Sequence, residues 1–124
     1  MNFKDKEAIY LQIAAYVSEH ITLGEWLPEE KIPSVRDLAI KLQVNPNTVM
    51  RTYEYLQNQE ILFNKRGLGI FVAPDAISKI KDIRKERFLQ QELPDFFRSL
   101  YLLDISLDEV KKRYDAFRTE NYPN

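Results

Sequence analysis

The chain has 124 residues and a mass of 14.7 kDa, 44% hydrophobic and 30% charged, a balance that fits a soluble globular protein and excludes a disordered one. With no Cys and one His, it has no disulfide framework, thiolate metal site or His-based metal site, and little capacity for general-base catalysis. The net charge is −1 and the pI near 5.9, without the basic excess that usually marks a nucleic-acid binder.

Division at Pro74 does not expose a hidden basic half. Residues 1–74 carry eight Lys/Arg and nine Asp/Glu, and residues 75–124 carry ten of each. Any basic surface must therefore come from placement. No apolar run reaches the roughly 18 residues of a membrane span. Met1-Asn2-Phe3-Lys4-Asp5-Lys6 lacks the apolar stretch of a signal peptide. A cytoplasmic protein with no cofactor, no metal and no enzymatic activity is expected.

In chain order, residues 6–23 predict a first helix, with Ile9, Ile13, Tyr16, Val17, His20 and Ile21 on one stripe and Gly24 as its stop. His20 reads as a capping or half-buried residue. Residues 25–33 contain two prolines and read as a loop with room for no more than a short strand, with Trp26 as an apolar anchor beneath it. Ser34 and Asp37 have the spacing of a capping box. Val35, Leu38, Ala39 and Leu42 then give a second, short helix ending near Gln43-Val44.

Asn45 followed by Pro46 restarts a helix at once, since Asn caps well and Pro suits the first helical position. Val49, Tyr53 and Leu56 form its buried stripe, leaving Asn47, Met50, Arg51, Glu54 and Asn58 on the other face. Two short helices joined this tightly make a helix-turn-helix pattern. Residues 61–64 and 70–73 are β-prone runs around Lys65-Arg66-Gly67-Leu68-Gly69, a hairpin with two cations at its turn.

Beyond Pro74 the period is helical again. Ile77, Ile80 and Ile83 mark one stripe, and Pro94 is expected to break or kink the helix. Ser106 and Glu109 form another capping box. So small a tail cannot enclose its own aromatic residues. Either it folds back onto the first domain or it packs against another chain; the second reading is favoured, with Ile80, Ile83, Phe96, Phe97, Leu100, Tyr101, Val110, Tyr114 and Phe117 as a dimerisation surface. The expected fold is mainly α with a β-hairpin wing: a winged helix-turn-helix domain over 1–74 and a helical dimerisation segment over 75–124.

Four pieces in order resemble the GntR family of winged helix-turn-helix regulators. They are Lys31-Ile32-Pro33-Ser34-Val35-Arg36-Asp37-Leu38-Ala39, Val44-Asn45-Pro46-Asn47-Thr48-Val49, Tyr53-Glu54-Tyr55-Leu56 and Arg66-Gly67-Leu68-Gly69-Ile70-Phe71-Val72. The short helical tail resembles the YtrA-type subfamily, whose members are homodimeric repressors often encoded beside transporter genes. The resemblance implies that Ser34, Arg36, Asn45, Asn47, Thr48, Arg51, Lys65, Arg66 and Gly67 meet an inverted-repeat DNA operator. It also implies that the four cations share a face away from Glu25, Glu29 and Glu30.

Three positions depart from the family pattern. Glu29 and Glu60 stand where Gly is common, so the turn at Glu60 is expected to be made differently. Pro46 replaces a residue that can donate to DNA. The acidic pI and Pro46 favour the alternative of a winged-helix module that binds protein without specific DNA binding.

Overall fold

The computed structural model describes residues 7–124. Lys6, the expected start of the first helix, lies outside them. The chain forms α1 (Ile9–Thr22), α2 (Val35–Leu42), α3 (Pro46–Asn58), β1 (Leu62–Lys65), β2 (Gly69–Val72), α4 (Ala76–Arg87), a π-helical segment (Phe88–Glu92), α5 (Leu93–Leu102) and α6 (Leu107–Asn121). Two compact units divide at Ile83/Arg84, inside α4.

In the first unit, α1, α2 and α3 bury Ile13, Val17, Ile21, Leu38, Val49, Tyr53 and Leu56 in one core. The predicted caps are present. Ser34 Oγ accepts from the Asp37 N–H at 3.1 Å, and Asn45 Oδ1 accepts from the Asn47 N–H at 2.8 Å. Between them α2 stops because Gln43 turns left-handed, with φ of 55°, and Val44 N–H reaches back to the Ala39 carbonyl. The helix-turn-helix is thus set by local chemistry at each end of a three-residue turn.

β1 and β2 pair antiparallel from Leu62↔Val72 to Lys65↔Gly69. Arg66, Gly67 and Leu68 make the turn, closed by Leu68 N–H on the Lys65 carbonyl at 2.9 Å. Gly67 has φ of +79°, as the third position of a type II turn requires. Residues 29–32, expected as loop, lie along the other edge of β2. Glu29 N–H donates to Val72 O, Val72 N–H to Glu30 O, and Ile32 N–H to Ile70 O, at 2.8–3.0 Å. Three backbone bonds and the isolated Lys31–Phe71 bridge tie this stretch to β2 without making it a third strand.

Two further expectations are corrected. The turn at Glu60 is not made differently: Glu60 adopts the left-handed backbone that Gly favours, with φ of 61°, as Glu29 does with φ of 66°. The domain does not end at Pro74 either. Ala76 and Ile80 are buried in the first unit's core, Ile80 at 3% exposure, so Ile80 is a core residue there and has no free face for a dimer.

The second unit comprises residues 84–124. Pro94 does not break the helix. The preceding turn widens instead, and Leu93 N–H bonds to the Phe88 carbonyl five residues back. The wider turn absorbs the donor that Pro94 lacks and relieves its ring from the preceding carbonyls. Ser106 caps α6 by accepting from the Glu109 N–H at 3.1 Å. No residue after Ile80 is buried. Phe96, Phe97, Tyr101, Tyr114 and Phe117 are exposed, as is Ile83 at the end of the first unit, while Leu100 and Val110 are half-buried.

Candidate nucleic-acid interface

An open groove lies at the start of α3. Asn45, Asn47, Thr48 and Arg51 line it against Ala8, Ile9 and Tyr10 at the start of α1. Asn47 and Arg51 fall on one helix face, i and i+4, opposite the buried Val49 and Tyr53. The Arg51 guanidinium lies 4.0 Å above the Tyr10 ring centre.

Thr48 is half-buried. Its carbonyl accepts from Thr52 Oγ1 at 3.1 Å, and the same hydroxyl reaches the Tyr10 carbonyl at 2.8 Å. Thr52 is fully buried, so this contact fixes the first turn of α1 against α3. At α2, Ser34 and Arg36 are exposed at the helix N-terminus, where free N–H groups and the helix dipole favour an anion.

Arg66 and Gly67 sit in the exposed wing turn. Lys65 is the last residue of β1, with its ammonium 4.5 Å from the Phe71 ring centre and 5.6 Å from that of Phe63. The structure therefore gathers the α3 residues into one groove, and sets Ser34–Arg36 and Lys65–Gly67 at two other exposed places. Glu29 and Glu30 are not remote from the wing. They lie in the segment bonded along β2.

Two residues were not singled out by sequence. Tyr10 sits between the apolar positions of α1, and only its partner 41 residues later gives it a role. Lys31 crosses the wing at Gly69: a Cβ there would stand 2.7 Å from Lys31 Cε. Its signal was the Lys31–Phe71 bridge, which pairs residues 40 apart.

Behind this surface Tyr53 Oη donates to the Pro33 carbonyl at 2.7 Å. Burial, reinforced by the negative charge of Asp37, pushes the Tyr53 phenol well above its ordinary range. Among the described residues no His, Asp or Glu cluster is arranged to hold a metal, and no helix is long and apolar enough to cross a membrane.

The family model of bacterial regulatory proteins of the GntR family matches residues 9–72, which span α1 to the end of β2. The chain is 35% identical over 115 residues to the HTH-type transcriptional regulator YhcF of Bacillus subtilis, covering 93% of each chain. It is 28% identical over 102 residues to the HTH-type transcriptional repressor YtrA of the same organism, covering 82% of this chain and 78% of that one. A crystal structure of a GntR-family regulator from Bacteroides thetaiotaomicron superposes with a TM-score of 0.82 at 51% identity, over 91% of this chain and 98% of that one. The winged helix, its recognition-helix groove and the short helical tail thus have one common explanation: the chain belongs to the GntR family of DNA-binding transcriptional regulators, in its YtrA-type branch.

Proposed function

We propose that the chain is a homodimeric repressor, without enzymatic activity, that binds an inverted-repeat operator controlling a transporter-type operon and its own gene. The observation that carries the DNA contacts is the groove at the start of α3, where Arg51 is stacked on Tyr10 beside exposed Asn47. In this reading α3 enters the major groove. Asn47 makes two parallel bonds to an adenine edge, Arg51 meets a guanine edge or phosphate, and Thr48 takes a phosphate or a thymine methyl.

Asn45 holds the helix start in register through its cap. Ser34 and the α2 N-terminus take a phosphate, while Arg36 reaches a base edge or the backbone. Lys65, Arg66 and Gly67 bring the wing to the adjoining minor groove. Pro46 contributes no donor, which places more of the recognition on Asn47 and Arg51.

Dimerisation is supported by the second unit, which carries exposed Phe96, Phe97, Tyr101, Tyr114 and Phe117 and has no buried side chain. A second copy provides the second half-site that a protomer with few cations needs. Two half-sites neutralising about six to ten phosphates give steep salt dependence.

The test is a salt-titrated binding assay on the promoter upstream of its own gene against a scrambled duplex, with Arg36→Ala and Arg66→Ala alongside. Preference for the promoter, with each variant costing about 1–3 kcal/mol and dimer content unchanged, is the expected result. A well-folded dimer that binds neither duplex overturns the reading in favour of a protein-interaction module.

A further inference from the structure

The ring of Tyr10 is clasped by two residues of α3 one helical turn apart. Arg51 lies over it at 4.0 Å, and Tyr55 meets it at 5.9 Å with the ring planes 79° apart. The backbone of Tyr10 is fixed independently by the 2.8 Å bond from Thr52 Oγ1 to its carbonyl. The ring is therefore a fixed platform, and Arg51, the one cation of α3, rests on it.

We propose that Tyr10 is a positioning residue for operator recognition, acting through Arg51. This rests on the assignment of Arg51 as a DNA contact. Arginine guanidinium groups stack on aromatic faces, and one whose carbon sits 4.0 Å over the ring centre carries its N–H donors in its own plane, free at its edges. Stacking thus selects a plane for the fork that is to bond a base or phosphate, and removes much of the ordering cost that a free side chain incurs on binding. Lys65 provides the contrast. Its ammonium also lies near a ring, at 4.5 Å from Phe71, but a point charge has no plane to orient. Tyr10 therefore affects base discrimination, whereas the Lys65–Phe71 contact affects only the place of a charge.

The experiment uses the full chain and a duplex enriched from a random 30-base-pair pool by the wild-type protein. Arg51→Ala is expected to weaken binding about 10- to 100-fold, Tyr10→Leu roughly three- to tenfold, and Tyr10→Phe, which retains the ring, less than about twofold. In the Arg51→Ala background Tyr10→Leu adds no further loss. It also flattens base preference only at the positions that Arg51→Ala flattens. A purely structural role would instead lower affinity in both backgrounds alike.

Additive losses, or no loss with Tyr10→Leu while Arg51→Ala is impaired, overturn the Tyr10 proposal and leave Arg51 as a contact. Unchanged binding by Arg51→Ala overturns both. Failure to enrich any duplex removes the DNA reading itself, and the Tyr10 proposal with it. A readout that needs no folded Tyr10→Leu variant is the Arg51 Nε–H resonance of the DNA-free wild type. An upfield ring-current shift is expected, and its absence overturns the platform.

Discussion

The Tyr53 hydroxyl of α3 donates to the carbonyl of Pro33, the residue just before the α2 cap, at 2.7 Å. This bond ties the middle of the recognition helix to the entrance of the supporting one. It crosses the helix-turn-helix on the side opposite the three-residue turn. The two helices are therefore held at both ends of their contact.

Tyr53→Phe keeps the ring in the core and removes only this bond, so a loss of about 0.5–1.5 kcal/mol in chemical denaturation is expected. The pH response follows from the raised phenol pKa, caused first by burial and then by Asp37. The folded state favours the neutral phenol, so its contribution is intact below about pH 10, the unfolded value. It is lost as pH rises beyond that toward the higher folded value. Thermal melts between neutral pH and strongly alkaline pH should show wild type losing stability faster than Tyr53→Phe above about pH 10.

Glu29 and Glu60 hold left-handed backbone that costs an L-residue about 1–2 kcal/mol. Glu29→Gly is expected to raise stability by about 0.5–1 kcal/mol, the relief of strain exceeding the added freedom of the unfolded chain. Glu60→Gly should gain less, because Glu60 Oε2 also accepts from Lys79 Nζ at 3.2 Å. Paired melts of the two variants check both the sign and the order.

The wing glycines separate by what surrounds them. Gly67→Ala meets no atom within 4 Å, and its cost is the φ of +79° alone, about 1–2 kcal/mol. Gly69→Ala combines a φ of +126° with the displacement of Lys31, and should weaken both stability and DNA binding more. Melting and duplex titration of the pair test this ranking, and equal effects would count against the placement of Lys31.

Charge placed on the exposed tail residues should prevent self-association. Phe97→Asp and Phe117→Asp are expected to sediment as monomers at concentrations where wild type is dimeric. Melting of the first unit should stay within about 0.5 kcal/mol of wild type, since neither residue belongs to its core. Wild type that is monomeric throughout would remove the dimer.

Local signals in the sequence explain which parts were legible. Ser34, Asn45 and Ser106 act within three residues of themselves, and each appears as the cap its spacing predicted. The hairpin followed from glycines beside β-prone runs. Residues 29–32 read as a loop because Pro28 and Pro33 bracket them, and the bonds that tie them to β2 come from residues some forty positions later. Ile80 fits a helical stripe perfectly well, but periodicity does not say which core a stripe faces. Pro94 signals trouble for a helix without saying whether the chain turns or widens. At the site, the α3 residues were legible as an exposed face, whereas Tyr10 and Lys31 depend on contacts that only the folded chain brings together.

The segment at residues 29–32, bonded along β2, leaves the chain no slack. Ile32 is bonded to Ile70, Pro33 accepts from Tyr53, and Ser34 caps α2, so three successive residues answer to three different elements. Substitutions can be absorbed along this stretch, but an insertion or deletion of one residue would put the register along β2 and the cap of α2 out of phase. Changes of chain length that keep the fold are therefore expected elsewhere, and the chain distance from Arg36 to the residues bonded along β2 is one that folding fixes.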